Sequence, residues 1–483
     1  MTASAVEPAL ILRRQRLHDL TPAARALLLD RAPVAGRDTR SSVRGIIDEV
    51  RRGGDDAVRA ANARFGGGLP RTRGKAPLTV APLVMRAALE ELPSPLRSGF
   101  ETMAANIERF HSAQVPERED WVDIGPGIRV GRVWRPIDRV AAYVPGGEAA
   151  YPSSLMMAAI PARLAGVERL VVASPASREG AISPALLGAA ALLGIEEFYV
   201  MGGAQAIAAL AYGTQAIKPV DKIVGPGNRW VTAAKLEVFG QVGIDLPAGP
   251  SEVMVLADET ADASHVAADL LSQAEHGPDS AAVLVTTSAA KGEAVEAEVA
   301  RQLPTLPRQD FLRRSLAGGG MILEADGLDE AIDFVNEYAP EHLSIVVREP
   351  TDAFSRVRNA GSVFLGPYAA ESAGDYATGS NHVLPTGRLA RAYGALSVES
   401  FGRFVQVQEL TREGLRSIRG AVGAVAEAEG LAAHRRAVEI RFSDEGSAAT
   451  ASPAARGMSN ARSRRIAAAP AARRPRTGSG ADR

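Results

Sequence analysis

Polar residues in separate segments of this chain could bind one divalent metal ion together. Gln273 and His276 lie in S-Q-A-E-H-G, Asp375 lies in E-S-A-G-D-Y, and His434 lies in E-G-L-A-A-H. Gln273 and His276 are three residues apart in a predicted helix, so their side chains share one face. Their oxygen and nitrogen donors predict a metal site. Surface or helix-capping roles are the alternative, because the spacing itself is not specific.

A further segment, A-P-E-H-L, places Glu341 beside His342. Pro340 ends the helix before this pair, which predicts that the pair lies on a short loop leading into a strand at Ser344–Val347. Loops at strand ends are where α/β domains place reactive groups. A neighbouring carboxylate and imidazole could transfer protons, whereas an exposed pair without a chemical role is the alternative. We therefore predict an enzyme with a metal-anchored substrate.

The histidines are unevenly distributed along the chain. Of the seven, four fall in segments rich in Gly, Asn, Asp or Glu, namely His276, His342, His382 and His434. The other histidines lie in ordinary helical contexts. This clustering favours one shared site over four unrelated surface positions.

Composition limits the classes of chemistry and the cellular location. The chain has 483 residues, 46% of them hydrophobic, and no cysteine. Disulfides, thiolate metal sites and thiol nucleophiles are therefore excluded. The stretch Met1–Leu17 has its arginines after a brief apolar run, the reverse of a secretory signal, and no later apolar run has membrane length. We expect a soluble, cytoplasmic protein.

The last residues, 445–483, form a basic segment with eight arginines against two acidic residues. Ala, Ser, Pro and Gly make up most of the remainder. Such a segment has too little apolar surface to offset the entropy lost on ordering, which predicts a disordered tail. Binding to nucleic acid is the alternative, and we assign no function to the tail.

Short apolar runs alternate with Ala-rich stretches from Val167 to Gly366, which predicts parallel sheets covered by helices on both faces. The predicted strands are Arg169–Ala173, Phe198–Met201, Lys222–Val224, Val253–Ala257, Ala282–Thr286, Met321–Leu323, Ser344–Val347 and Ser362–Leu365. The predicted helices between them are Pro184–Leu193, Ala204–Tyr212, Trp230–Phe239, Ala263–Glu275, Ala289–Gln302, Leu328–Tyr338 and Asp352–Asn359.

These strands are too many for one open sheet, and the Gly- and Pro-rich stretch Gly243–Pro250 is a credible boundary between two. We therefore predict two α/β domains. Helical periodicity extends upstream over Thr39–Arg64 and Leu83–His111, and downstream over Leu415–Arg441 with a break near Gly430.

The glycine motifs differ from the usual dinucleotide-binding pattern, because G-x-G-x-x-G does not occur in the sequence. V-P-G-G covers Val144–Gly147, G-G-A-Q-A-I covers Gly202–Ile207, and G-P-G-N covers Gly225–Asn228. The last two follow predicted strands and open predicted helices, where free backbone N–H groups favour phosphate. Glycines that only permit tight turns are the alternative.

A longer set of motifs resembles the NAD-dependent histidinol dehydrogenases, which perform the last two oxidations of histidine biosynthesis. The matching segments are Y-V-P-G-G, Y-P-S-S-L-M-M, G-G-A-Q-A-I-A-A-L-A-Y-G-T, K-I-V-G-P-G-N, A-G-P-S-E-V, D-L-L-S-Q-A-E-H-G, A-P-E-H-L, G-S-V-F-L-G, E-S-A-G-D-Y-A-T-G-S-N-H-V-L-P-T and E-G-L-A-A-H. They occur in family order and cover nearly everything from Thr39 to Asp444.

The resemblance implies a set of ligand contacts. One zinc ion per subunit would be held by Gln273, His276, Asp375 and His434, with manganese or cobalt as plausible substitutes. Substrate would be contacted by these residues together with Ser251, His342, His382 and Glu429. NAD would be contacted by Tyr143, Gln205 and Asn228.

The resemblance also implies a mechanism in two halves. His342 would remove the alcohol proton of L-histidinol as hydride leaves to NAD. Because the chain has no cysteine, water would then add to the aldehyde, with Glu341 as its activator. A second hydride transfer would yield L-histidine. The role of His382 stays open between substrate binding and electrostatic support.

The implied architecture is two incomplete Rossmann-like parallel-sheet domains with small helical N- and C-terminal pieces, in an intertwined homodimer whose C-terminal piece crosses to the partner. The expected parts are an N-terminal segment 1–38, a first α/β domain of 39–142 with 251–395, an NAD-binding domain 143–250, a C-terminal piece 396–444 and the tail 445–483.

Three other functions remain as alternatives. One is a related zinc- and NAD-dependent dehydrogenase of another small alcohol, such as a sulfonated diol. Another is a metal-binding dimer without catalysis that binds nucleic acid through its tail, and the third is metal-assisted hydrolysis. Glu429 with His434 argues against the first, the Glu341–His342 pair against the second, and the NAD-contact residues against the third.

Overall fold

The computed structural model describes residues 12–31, 36–70, 75–146 and 151–445. Its strands are β1 (Arg13–Arg16), β2 (Thr79–Val80), β3 (Glu119–Gly125), β4 (Ile128–Pro136), β5 (Arg139–Tyr143), β6 (Arg169–Ser174), β7 (Glu197–Val200), β8 (Lys222–Val224), β9 (Gly243–Ile244), β10 (Glu252–Ala257), β11 (Ala281–Thr286), β12 (Gly320–Glu324), β13 (His342–Val346), β14 (Ser362–Leu365) and β15 (Gly402–Leu410).

Helices alternate with most of these strands. They are α1 (Pro22–Leu29), α2 (Arg37–Phe65), α3 (Pro82–Glu90), α4 (Ser94–Ser112), α5 (Pro152–Ala165), α6 (Pro184–Leu192), α7 (Gly203–Tyr212), α8 (Arg229–Val238), α9 (Ala263–Ala274), α10 (Ala289–Gln302), α11 (Gln309–Gly319), α12 (Leu328–Tyr338), α13 (Pro350–Arg356), α14 (Glu371–Tyr376), α15 (Arg412–Ala428) and α16 (Ala432–Glu439).

Two six-stranded sheets carry the fold. Sheet A has the order β1-β12-β11-β10-β13-β14 and its pairs are parallel. Sheet B has the order β2-β7-β6-β5-β8-β9, with β2 antiparallel to β7 and the other pairs parallel. The chain passes from sheet B to sheet A between Ile244 and Glu252. The predicted α/β class with two parallel sheets is confirmed.

Each sheet is buried on both faces. Along β10, Val253, Val255 and Ala257 enter one core, whereas Met254 and Leu256 enter the core on the opposite face. Helices α9, α10 and α11 pack in the first core, and α1, α12 and α13 pack in the second. A strand covered on both faces needs apolar residues at every position, because successive side chains point to opposite faces. Sheet B is built in the same way.

The eight predicted strands are all present, with ends shifted by at most two residues. Other predictions were incomplete. Strand β5 was missed, because two alanines in R-V-A-A-Y lack β preference although β5 lies at the centre of sheet B. The predicted helix Leu83–His111 is two helices, since Pro93 interrupts the backbone hydrogen bonding between them.

Two compact units divide the chain. The larger comprises Met1–Trp121 with Gly131–Val407, and the smaller comprises Val122–Val130 with Gln408–Arg483, described as far as residue 445. A further sheet has the order β15-β4-β3. The predicted domain boundaries stay a prediction. Beyond Glu445 the predicted basic tail lies outside the described residues, as do residues 1–11 and 32–35 of the N-terminal segment.

None of the described helices is both long enough and apolar enough to cross a membrane.

In the smaller unit, α15 and α16 are separated at Gly430, which has a φ of 72°. The left-handed conformation at that glycine ends the first helix. The predicted break in the C-terminal helical piece is thereby confirmed.

A stability prediction arises at one edge of sheet B. Arg139 donates two hydrogen bonds to Glu197, at 2.9 and 2.6 Å, and Tyr199 donates a third at 2.7 Å. The Arg139 hydrogen bonds lower the pKa of Glu197 to about 2. A depressed carboxyl pKa stabilises the fold above about pH 4.5, and this contribution is lost as the pH falls toward 2.

Glu197→Gln is therefore expected to lower the free energy of unfolding by about 1 kcal/mol at pH 7, after allowance for solvent screening at this partly exposed pair. Denaturant unfolding at pH 7 and pH 3 measures the difference between variant and wild type, which should shrink at the lower pH. Glu196→Gln, at an exposed neighbouring pair with Arg169, is the control. An equal deficit at both pH values would contradict the assignment.

Candidate active site

The candidate site lies at the amino-terminal edge of sheet A. His342 is the first residue of β13 and aligns with Val253 in β10, so Ser251 and Glu252 lie beside the Glu341–His342 pair. Helix α9 follows β10 and returns to this edge, and α14 packs against α9. Strand beginnings and helix ends therefore meet here, because each helix runs back along its sheet.

The Glu341–His342 pair was predicted on a short loop leading into a strand at Ser344–Val347, and for His342 this placement is wrong. Each residue is only 4% exposed, and His342 belongs to the strand. Pairing of β13 with β10 and β14 begins at His342, two residues earlier than the apolar run had indicated. Strand pairing on both sides of β13 thus holds His342, and with it the adjacent Glu341, in a buried position.

His342 is held in one orientation. Its Nδ1 lies 3.1 Å from the backbone carbonyl oxygen of Glu252, which can only accept a hydrogen bond. Nδ1 therefore carries a hydrogen, and the neutral ring has its lone pair on Nε2. Nε2 has no hydrogen-bond partner and lies 3.7 Å from Oδ1 of Asp375. In the neutral form of the ring, this nitrogen can accept a proton from a bound molecule.

Glu341 is fixed by the same neighbouring residue. Its Oε2 accepts a 2.7 Å hydrogen bond from the backbone N–H of Glu252. Burial raises the pKa of Glu341 to about 8, although the charge of His342 opposes this shift. A carboxyl group with a pKa near neutrality can both accept and release a proton at physiological pH.

Glu371 is a third carboxyl group of the site, and the sequence analysis did not identify it. Its Oε1 lies 3.6 Å from Nδ1 of His342, and neither carboxyl oxygen has a hydrogen-bond partner. Burial raises its pKa to about 8. Glu371 lies four residues before Asp375 in α14, so both side chains are on one face of the helix. This spacing was the sequence signal that could have identified Glu371.

The cluster has more acidic than basic groups. Burial lowers the pKa of His342, but the charges of Glu341 and Glu371 together with Asp375 outweigh burial and raise it to about 10. Asp375 is buried too, yet His342 keeps its pKa below the ordinary value. A buried cluster of this charge favours a cationic ligand, either a metal ion or an ammonium group.

Three of the four predicted metal ligands lie at this edge. Gln273 is fully buried at the end of α9, and neither atom of its amide group has a partner. Nε2 of His276 lies 3.9 Å from Oδ2 of Asp375. A buried amide without partners is unfavourable unless a ligand completes it, so these oxygen and nitrogen donors fit a divalent ion.

Within the parts of the chain that the structure describes, no group of three or more His, Asp or Glu side chains is arranged to hold a metal ion by itself. The fourth predicted ligand, His434, lies in α16 of the smaller unit and is exposed there. The predicted substrate contact Glu429 directly follows α15 in the same unit and is also exposed. Ser251 is half-buried, one residue before β10.

His382 is engaged by the protein at both ring nitrogens. Nδ1 lies 3.0 Å from the backbone oxygen of Asp375, and Nε2 lies 3.2 Å from Oγ of Ser154 in α5. Burial lowers its pKa, which favours the neutral ring. The ring therefore fixes the backbone of Asp375 against α5, and in this chain it offers no free nitrogen to a ligand.

The three predicted NAD contacts lie at the carboxyl ends of three strands of sheet B, β5, β7 and β8. Tyr143 ends β5, Gln205 lies in the first turn of α7 after β7, and Asn228 precedes α8 after β8. Strand order reverses between β5 and β8, and the carboxyl ends of strands at such a point are the usual ligand site of α/β sheets. The predicted strand-to-helix position of the G-G-A-Q-A-I and G-P-G-N motifs is confirmed.

Each of these three side chains has a protein partner. The hydroxyl of Tyr143 accepts a hydrogen bond from the N–H of Gly203 at 3.2 Å, and Gln205 donates to Asn62 at 3.1 Å. Asn228 caps α8 by accepting from two backbone N–H groups. By contrast, the residue that precedes α7 is a glycine and has no side chain that could cap the helix. More backbone N–H groups are therefore available to a ligand at the start of α7 than at the start of α8.

A buried ion pair supports the G-P-G-N loop. Lys235 in α8 pairs with Asp245, and both side chains are almost fully buried. Asp245 accepts from the N–H of Gly225 at 2.6 Å, and Lys235 donates to the carbonyl of Gly225 at 3.1 Å. Gly225 has a φ of 112°, and a Cβ there would lie 2.1 Å from the Tyr143 carbonyl oxygen. Only glycine fits this close approach.

The fold and this site define the protein as an α/β enzyme with a buried acid–base pair and a site for a cationic ligand. A sequence model of histidinol dehydrogenase matches residues 29–442. The chain belongs to the histidinol dehydrogenase family. It is therefore an oxidoreductase of histidine biosynthesis.

Individual relatives agree with this assignment. The histidinol dehydrogenase of Methanothermobacter thermautotrophicus is 46% identical over 423 residues, which cover 86% of this chain and 96% of the relative. That of Moorella thermoacetica is 47% identical over 415 residues, with the same two coverages. The crystal structure of the enzyme from Elizabethkingia anophelis superposes with a TM-score of 0.83 at 36% identity, covering 90% of this chain and 98% of that one. The sulfonated-diol alternative has no support among these relatives.

Proposed function

We propose that the protein oxidises L-histidinol through L-histidinaldehyde to L-histidine at the Glu341–His342 pair, with NAD and one zinc ion per subunit. The observation that carries this proposal is the buried His342, whose Nε2 is free beside an acidic cluster. Family membership supports the substrate, because histidinol carries an amine and an imidazole that suit such a cluster.

His342 acts as the base of the first oxidation. Its Nε2 accepts the proton of the substrate alcohol while Nδ1 stays bonded to the Glu252 carbonyl. The surrounding carboxylates raise the pKa of His342. A cationic ligand bound among those carboxylates would offset this effect, and the imidazole would then be available in the neutral form that a base requires.

Glu341 serves the second oxidation. An aldehyde must add a nucleophile and become tetrahedral before a second hydride can leave, and the chain has no cysteine that could add to form a thiohemiacetal. Glu341 accepts a proton from the water that adds to the aldehyde. Its carboxyl group stays anchored at Oε2 by the Glu252 N–H, so Oε1 is the oxygen available for this task.

Zinc would be held by Gln273, His276 and Asp375 together with His434. When bound, it would supply a Lewis acid to which the neutral amine and imidazole nitrogens of the substrate could coordinate. The unpartnered amide of the buried Gln273 supports this assignment. Ser251 and Glu429 would complete the substrate contacts, and His382 would hold the backbone of Asp375 in place.

NAD, when bound, would supply the hydride acceptor that no side chain provides. Tyr143, Gln205 and Asn228 would hold it at the carboxyl edge of sheet B. Support comes from the strand-order reversal at β5 and β8 and from the uncapped start of α7. The ion pair of Lys235 and Asp245 keeps the Gly225 turn in the shape that this binding requires.

A homodimer would complete each site. Because His434 and Glu429 are exposed in the smaller unit, we place them in the site of the partner subunit, with the C-terminal piece 396–444 crossing between subunits. The division into domains 39–142 with 251–395 and 143–250 belongs to the same proposal. A cytoplasmic location stays a prediction.

The proposal is tested by adding L-histidinol and NAD to the purified protein and following NADH absorbance. We expect about two NADH per histidinol, because the conversion of an alcohol to an acid needs two hydride transfers. Chelation should abolish turnover and zinc should restore it. Turnover of a sulfonated diol with no oxidation of histidinol would favour the alternative dehydrogenase. If no substrate gave NADH, the result would favour a metal-binding dimer without catalysis.

The crossing of the C-terminal piece predicts complementation between inactive variants. His276→Ala and His434→Ala are each expected to lose nearly all activity. If His434 acts in the partner's site, a mixed dimer of the two variants contains one intact site of two, so the purified mixed dimer should have about half of wild-type activity. Co-expression with two different affinity tags, followed by NADH assays of the doubly purified dimer, measures this recovery.

The matched control pairs His276→Ala with Gln273→Ala. Under the proposal, both of these residues act in the site of their own subunit. Each site of a mixed dimer therefore has one altered residue, and no recovery is expected. If His276→Ala with His434→Ala also fails to recover, the two residues act within one subunit and the crossing is refuted.

A further inference from the structure

Arg31 links the N-terminal segment to the candidate active site. It lies two residues after α1, and its side chain is 15% exposed. One guanidinium nitrogen pairs with the carboxylate of Glu252, and another donates to the backbone carbonyl of Tyr338. The guanidinium carbon also lies 3.4 Å from the centre of the Tyr338 ring. Arg31 thus bridges the start of β10 and the end of α12.

Both partners of Arg31 adjoin the Glu341–His342 pair. The backbone N–H of Glu252 donates to Glu341, and its backbone carbonyl accepts from His342. Tyr338 is the last residue of α12, three positions before Glu341, and Ala339 between them has a φ of 50°. The two polypeptide segments that orient the pair therefore meet at one arginine.

We propose that Arg31 is a positioning residue, which fixes β10 and the α12 end relative to each other and so holds the Glu341–His342 pair in its reactive orientation. The inference rests on the proposed function for what the pair does. The N-terminal segment would then support catalysis by positioning this pair, although it does not contact the substrate.

The chemistry of the side chain supports this role. A guanidinium group donates in several fixed directions, so it can bond a carboxylate and a carbonyl at once while lying on an aromatic ring. A lysine reaches only one of these partners well. Glu252 is buried, and its other carboxyl oxygen is bonded to the N–H of Gly387 at 3.0 Å. Without Arg31, this buried carboxylate would have no cationic partner. The carboxylate would then protonate, or the start of β10 would shift.

The test compares three variants as assembled, zinc-loaded enzymes. Arg31→Met removes the bridge, and Arg31→Lys restores the charge alone. Arg25→Met is the matched control, because Arg25 belongs to the same segment and pairs with Glu337 on the same helix α12, but its pair is partly exposed and away from Glu252. Rates are expressed per folded site, counted by bound zinc.

We expect Arg31→Met to lower kcat for both oxidations about 10- to 100-fold, as for a misplaced acid–base pair, with the KM for NAD unchanged. Arg31→Lys should recover part of this loss, and Arg25→Met should stay within about twofold of wild type. Wild-type kcat in folded Arg31→Met or Arg31→Lys would overturn the proposal. If Arg31→Met does not fold, Arg31→Lys decides, with a reduced kcat at unchanged KM for NAD as the expected result.

A second readout separates this inference from the proposed function. Nitrogen NMR of isotope-labelled histidines, assigned with the His342→Asn variant, reports the environment of His342 without turnover. Its signals should move in Arg31→Lys and stay in place in Arg25→Met. A wild-type enzyme that oxidises no histidinol would refute the proposed function, whereas unmoved His342 signals in Arg31→Lys would refute the role of Arg31.

Discussion

His342→Asn is expected to slow the first hydride transfer from histidinol about 10²- to 10⁴-fold, the range for loss of a positioned general base. The asparagine amide can still donate to the Glu252 carbonyl, where Nδ1 of His342 donates now. It places no proton acceptor at the position of Nε2. Stopped-flow NADH formation in a single turnover measures the rate, and metal analysis should show zinc still bound, because His342 is not among the proposed ligands.

His18→Asn provides the matched control for this substitution. His18 is exposed and interacts with Asp19 and Asp326, away from the acidic cluster, so its replacement should leave the rate unchanged. A His342→Asn enzyme with a wild-type first step would show that another group removes the alcohol proton. Loss of zinc together with activity would instead mean that His342 is a ligand, and the assignment as base would fail.

Glu341→Gln is expected to separate the two oxidations. The glutamine oxygen can keep the hydrogen bond from the Glu252 N–H, so the start of β13 should stay in place. It cannot accept a proton from water, and the aldehyde-to-acid stage should slow about 10²- to 10⁴-fold. With histidinol as substrate, the early yield should fall from about two NADH per substrate to about one.

Direct assays of L-histidinaldehyde with NAD measure the second stage alone. Glu337→Gln, which alters a partly exposed carboxylate on α12 paired with Arg25, is the control and should keep both stages. If Glu341→Gln oxidises the aldehyde at the wild-type rate, water addition does not depend on Glu341. A uniform loss in both stages would mean that the residue supports the site as a whole rather than the second step.

The strands of the two parallel sheets could be predicted because buried parallel strands form short, nearly continuous apolar runs. Val253–Ala257 and Ala282–Thr286 are examples, and both lie within observed strands. Strand β3 illustrates the limit. Its sequence, E-D-W-V-D-I-G, is largely exposed, so no buried face produces a pattern. For β5, alanines pack under close helices, and their small side chains resemble a helical sequence.

Much of the site could also be named from the sequence, but its environment could not. Gln273, His276 and Asp375 were proposed from residue type and family motifs, and the structure brings them to one edge of sheet A. The burial of the Glu341–His342 pair was not foreseen, because it depends on strand register. Glu371 and Glu252 gained their roles only through contacts with His342 and Glu341.

By itself the sequence determined the α/β class, the family and the donor atoms available for chemistry, because local patterns and motif order carry this information along the chain. It also excluded thiol chemistry through the absence of cysteine. Only the tertiary structure decided that His342 has one free nitrogen, that its surroundings are acidic, and that Arg31 lies behind the pair. Hydrogen bonds and burial between residues far apart in the chain set these properties, and no local pattern records such contacts.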